Sequence, residues 1–194
     1  MLVTKLTVVN ACLASMGEEP INSLAEVNAF VSSALFALEN ANLNEQSEGW
    51  YFNKEQVELV PDVNGEYHVP HDVLDLDTMS NPGWMTIRKN KLFTTAGGKT
   101  YTGTGPMCCN VIRLLDFEDL PFIGKRLVKA ATVILFQQSY DGDAVKIKEA
   151  EDEYSTARIL CKAQHIRQVK ANFGTYAIRQ NAMLGPMRGL RTPR

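Results

Sequence analysis

No acidic side chain follows Glu153. Residues 154–194 hold 8 basic groups and none acidic, whereas residues 1–153 hold 12 basic and 22 acidic ones. The formal charge of −2 therefore hides a body at −10 joined to an end at +8. Such segregation suits an end that meets an acidic partner, nucleic acid or the acidic body of a neighbouring copy. Long apolar runs are also missing. The densest stretch, Ala130 to Phe136, lies between Lys129 and Gln137 and is far short of the ~18–20 residues that cross a bilayer, so a soluble chain without membrane insertion is expected. The apolar start is interrupted by Asn10 and has no basic segment before it, so export is not expected.

Cysteine is sparse and unpatterned. Cys12, Cys108, Cys109 and Cys161 form no C-x-x-C pair, and free, buried thiols in a reducing compartment are expected. On a strand, Cys108 and Cys109 would point to opposite faces. No repeat of 20–50 residues and no low-complexity tract suggests a solenoid. At 45% hydrophobic and 22% charged, the chain is neither disordered nor fibrous in composition, and 194 residues suffice for one core with an elaboration.

Catalytic signatures are lacking too. There is no G-x-S-x-G, so no triad is assigned. Gly97-Gly98-Lys99-Thr100 ends like a phosphate-binding loop, but Leu92 and Phe93 stand where its first glycine belongs, and a hairpin or loop tip is expected instead. His68 and His71, with Asp72 and Asp75 nearby, invite a metal reading. Pro70 between the histidines spoils both strand and helix spacing, so a polar loop and no metal are expected. His165 is expected to be solvated. Asp72, Asp75 and Asp77, and the cluster Glu149, Glu151, Asp152 and Glu153, offer carboxylates, yet glycosidic cleavage needs one in an apolar setting and a pair ~5–10 Å apart. A solvated or intersubunit face is expected. No catalytic, cofactor or metal residue is assigned.

What is present divides by periodicity. Leu6, Val9, Leu13 and Met16 share a helical face that Gly17 should cap. Val27, Val31, Ala34, Leu35 and Leu38 predict a second helix over about 26–48, ended by Gly49. From Trp50 the texture turns to short β-branched and aromatic runs. Asn64-Gly65 is a strong hairpin turn, Lys89-Asn90 a weaker one, and residues 50–115 are expected to form one small antiparallel sheet. The acidic segment Asp116 to Pro121 opens a third helix to about Ser139. After an Asp141-Gly142-Asp143 turn, Ile147, Ala150, Tyr154, Ala157 and Cys161 line a fourth, reaching about Asn172. The expected fold is α+β: a helical bundle of about four helices (1–49 and 116–172), an inserted β domain (50–115) and an extended basic tail (173–194).

Three ordered segments carry a family resemblance. They are Val9 to Pro20, with its helix-Gly-Glu-Glu-Pro ending; Gly49-Trp50-Tyr51-Phe52-Asn53, with Leu59 and Pro61-Asp62 downstream; and Val111 to Pro121. Together they resemble tail tubular protein A, the head-to-tail adaptor of autographivirus-type short-tailed phages. The resemblance implies a non-enzymatic virion protein of the tail, assembled in the host cytoplasm. It further implies a dodecameric ring that docks on the portal, receives a nozzle of the tail tubular protein B type, and passes viral DNA without binding it specifically.

The basic end is the expected partner interface. Phe173, Tyr176, Met183, Leu184 and Leu190 supply apolar anchors beside Arg179, Arg188, Arg191 and Arg194, in a segment expected to order only against an acidic partner. Two alternative readings stand beside it: a tail-associated glycan hydrolase built on the clustered carboxylates, and a DNA-binding accessory protein built on the basic end. The −10 body weighs against the second, because sequence-independent DNA binding is driven by net positive charge.

Overall fold

The computed structural model describes residues 2–26, 28–79, 84–140 and 143–183, with side chains described as far as Lys170 in the last of these. Its order is two helices, six strands, then two helices, an α+β fold as expected. Helix α1 (Lys5–Met16) begins where Thr4 and Thr7 cap each other reciprocally. It ends at Gly17, whose φ of 82° needs no Cβ. There the amides of Gly17 and Glu18 turn back onto the Ala14 and Leu13 carbonyls, which satisfies the last turn. Val9 and Leu13 of the predicted face are fully buried.

Helix α2 (Val31–Ser47) starts later than residue 26. Local side-chain bonds hold the approach in turns: the Glu26 carboxylate accepts from the Asn22 and Ser23 amides, and Asn28 Oδ1 accepts from the Phe30 amide. Such bonds compete with the helical ladder, which takes over only at Val31.

The β region holds two three-stranded antiparallel sheets rather than the single one expected. In the first, β6 (Met107–Arg113) lies between β1 (Lys54–Leu59) and β2 (Val73–Thr78). In the second, β3 (Met85–Arg88), β4 (Lys91–Thr94) and β5 (Lys99–Thr100) follow as a meander. The last strand of the region thus separates two earlier ones, a pairing that local periodicity does not record. Lys89 and Asn90, at φ 51° and 57°, form the two-residue β3–β4 turn, and Gly97-Gly98 closes β4–β5 as a hairpin. Asn64-Gly65 lies in a wider turn between the bridged Pro61 and Tyr67. Leu59, Tyr67, Leu76, Leu92 and Val111 form the heart of the sheet core. On β6 Cys109 is buried and Cys108 exposed, as strand alternation requires. All four cysteines are free, and Cys12 and Cys161 are buried with Cys109.

Phe117–Asp119 make one 3-10 turn before α3 (Phe122–Tyr140). Glu118 in that turn accepts from the Lys5 amide at the start of α1 and pairs with Lys125. Helix α4 (Ala144–Met183) is capped by Asp143, which accepts from the Val145 and Lys146 amides. Those bonds, Lys146 first, hold the Asp143 carboxyl below its usual range. The Ala150, Ala157 and Cys161 seam is buried as predicted, with Tyr154 partly buried.

The extended tail from 173 needs correction, since α4 runs on through Met183. Residues 173–183 contain no proline and one glycine, Gly174, whose cost of ~1 kcal/mol is offset by neighbours that favour helix, such as Ala177, Arg179, Gln180 and Ala182. The first proline of the segment is Pro186.

Candidate assembly surfaces

The chain leaves the helices at residues 49–53 and returns at 113–116, and one polar network fastens both crossings. Gln46 Nε2 donates to the Leu115 carbonyl at 2.8 Å and to Asn42 Oδ1 at 2.8 Å, while its Oε1 accepts from the Leu115 amide at 2.8 Å. Asn53 Nδ2 donates to the Gln46 and Arg113 carbonyls, each at 2.9 Å, and its Oδ1 accepts from the Trp50 amide at 2.7 Å. Both side chains are 0% exposed, where hydrogen bonds meet little competition from water. Gly49, at φ 71°, turns the chain there; a Cβ would meet Ile112 Cδ1 at 2.6 Å.

A second polar cluster joins α4 to the end of α2. Tyr154 donates to Glu45 Oε1 at 2.8 Å, Arg158 Nη1 donates to the Tyr154 hydroxyl at 2.6 Å, and Arg158 Nη2 pairs with Glu48. Burial pushes the Glu45 carboxyl above its usual range against the pull of Tyr154 and Arg158. Burial also raises the Tyr154 phenol. Trp50 donates from its indole to the Glu45 carbonyl at 2.8 Å, and its ring meets that of His165 edge-on at 5.9 Å. His165 also lies against Tyr51, so it is packed between aromatics rather than solvated.

Among the described residues, the outer faces of α2 and α4 carry exposed apolar side chains. On α2, Phe36 is 66% exposed and Leu43 lies one heptad further on, beside a groove of about 690 Å³ that includes Glu39, Asp116 and Asp119. On α4, Ile159 and Ile166 are 68% and 50% exposed, with Lys162, Arg167 and Lys170 exposed around them.

The candidate metal and catalytic residues are dispersed. His68 bonds Asp62 at 3.0 Å, while His71 bonds Asn90 at 3.1 Å. Asp62, Glu66 and His68 do come together, but Lys91 pairs with Glu66, and Asp62 Oδ1 is taken by the Asn64 and Glu66 amides. Those bonds, His68 first, hold Asp62 down at about 2. Asp72 pairs with Arg113 at 2.6 Å, and Asp75, Asp77, Glu149, Glu151, Asp152 and Glu153 are exposed. Of the proposed interface residues, Phe173, Tyr176, Arg179 and Met183 fall on the last turns of α4, where side chains lie outside the described residues. Leu184, Arg188, Leu190, Arg191 and Arg194 lie wholly outside them. Sequence reasoning did not single out Gln46, Phe36, Ile159 or Ile166, and Asn53 entered it only as part of a resemblance segment. A polar residue inside an apolar run, or an apolar one opposite the buried seam, was the signal available.

Among the described residues, polar groups fasten helices and sheets to one another, and apolar groups stand on outer faces; this is the surface of an assembly protein. The chain belongs to the tail tubular protein family, whose model matches residues 6–171. That bears out the resemblance carried by Val9 to Pro20, Gly49 to Asn53 and Val111 to Pro121. The family is a structural one of the phage tail, so the chain is a virion tail component that assembles with oligomeric partners. No curated protein matches the chain. Among the described residues no helix is long and apolar enough to cross a membrane.

Proposed function

We propose that the chain is one subunit of a dodecameric adaptor ring that joins the portal to the tail nozzle and forms part of the channel for DNA ejection. The helices, 1–49 and 116–172, serve as the ring-forming body, and residues 50–115 are carried on it as an inserted β domain. No catalytic step is assigned to it, and assembly takes place in the host cytoplasm. The observation that supports this reading best is α4. Its first half is fastened to α2 through Tyr154 and Arg158, and its second half, free of acidic residues, continues to Met183. A basic rod held at one end suits capture of an acidic protein surface, since arginine bonds carboxylates in bidentate fashion. Phe173, Tyr176, Arg179, Met183, Leu184, Arg188, Leu190, Arg191 and Arg194 are the proposed contacts, with the portal as the partner that receives them.

Ending the chain after Asn172 tests this. The body should stay folded by circular dichroism while portal binding weakens, and the loss should be greater at low salt, where charge pairs are less screened. Normal portal binding by the shortened chain, or an unfolded body, would refute the docking role.

A further inference from the structure

We infer that the outer face of α4 in one copy packs against the outer face of α2 in the next, an interface that rests on the ring reading above and names the surfaces that build it. Within one chain these faces cannot meet. Ile159 and Ile166 project on the side of α4 opposite the buried Ala150, Ala157 and Cys161 seam, so they point away from the body that α4 packs on.

The two faces match in spacing. Phe36 and Leu43 are seven residues apart on α2, and Ile159 and Ile166 are seven apart on α4, so each apolar pair spans ~10.5 Å along its helix. They also match in charge. Lys162, Arg167 and Lys170 flank the isoleucines, whereas Glu39, Asp116 and Asp119 flank Leu43. Pairing α4 with α4, or α2 with α2, would set like charges together, so only the unlike pairing places apolar on apolar and base on acid. Each copy then presents a donor face and a different acceptor face. That is a head-to-tail contact, and it closes into a ring when the rotation per copy divides a full turn.

A cysteine cross-link in the full-length protein tests the interface. With Cys108→Ser removing the exposed native thiol, a Leu43→Cys chain and an Ile166→Cys chain are mixed under mild oxidation. The mixed dimer should form at several times the yield of a control pair in which Val63→Cys replaces Leu43→Cys. Reversing Lys162, Arg167 and Lys170 to Glu should lower that yield about tenfold, and reversing Glu39, Asp116 and Asp119 to Lys in the other chain should restore it. Yield no better than the control, loss without restoration, or capture of Leu43→Cys by portal protein in place of a second copy would each overturn the interface. If the cross-link fails while the chain still joins portal to nozzle, the interface is wrong and the adaptor role stands. If it forms but tails assemble without the protein, the interface stands and the adaptor role is wrong.

Discussion

Tyr154 on α4 donates its hydroxyl proton to Glu45 on α2 at 2.8 Å, although 109 residues and both sheets separate the two in the chain. Arg158 completes the arrangement by donating to the same phenol oxygen and pairing with Glu48. Two helices from either side of the β region are thus joined by one short polar chain.

Glu45 makes this joint sensitive to pH. Its folded-state carboxyl holds its proton more tightly than the unfolded chain does, mainly through burial. The stability it contributes is therefore complete below the ordinary value of 4.5 and is lost as pH rises through the raised folded value. Glu45→Gln keeps an acceptor for Tyr154 and removes the charge. Urea unfolding at a series of pH values should show Glu45→Gln gaining on the wild type as pH climbs above about 4.5. Parallel curves for the two proteins would contradict this.

Gln46 is the more demanding position. Gln46→Leu keeps the volume but leaves the partly buried Leu115 amide without its acceptor and removes one donor to the Leu115 carbonyl. A loss of about 2–4 kcal/mol in denaturant unfolding is expected, whereas Gln56→Leu, at an exposed position of β1, should stay within roughly 0.5 kcal/mol.

The β3–β4 turn offers a gain. Lys89 and Asn90 both sit at positive φ, a conformation that lysine tolerates poorly. Lys89→Asn with Asn90→Gly supplies the residues a type I′ turn favours and should stabilise by about 0.5–1 kcal/mol, read as a higher melting temperature. A lower one would argue against that turn.

Much of this architecture was legible because it is written at short range. Gly17 ends α1, Asp143 starts α4, and Ala150, Ala157 and Cys161 mark its buried seam, each within about three turns of sequence. What escaped depends on partners far along the chain. The insertion of β6 between β1 and β2 split the expected single sheet, and Gln46 looks like any polar helical residue until Leu115 is brought to it. His165 read as solvated because Trp50 and Tyr51, which enclose it, lie more than a hundred residues earlier. Helix α4 continues past Asn172 although apolar periodicity fades there, because the neighbours of Gly174 favour helix and the first proline comes only at Pro186.

The clustered carboxylates should prove structural or solvent-facing. Asp75→Ala and Glu153→Ala, both at exposed positions, are expected to change unfolding free energy by less than about 0.5 kcal/mol. Asp72→Ala, which frees Arg113 from one partner, should cost about 0.2–1 kcal/mol. Purified wild-type protein should release no reducing sugar from host glycans; release abolished by one of these changes would instead establish a hydrolase.

Helix α4 is 40 residues long, or ~60 Å, and its bonds to Glu45 and Glu48 lie within its first 15 residues. Mechanically it is a cantilever whose root runs from Tyr154 and Arg158 through buried Cys161 to His165, which packs on Trp50 and Tyr51. A sideways push on the far end acts through a lever of about 18 residues, ~27 Å, and is felt at the root as torque rather than translation. The place where such a load is resisted is therefore far from where it is applied, and strengthening or loosening that root sets how stiffly the far end can be held.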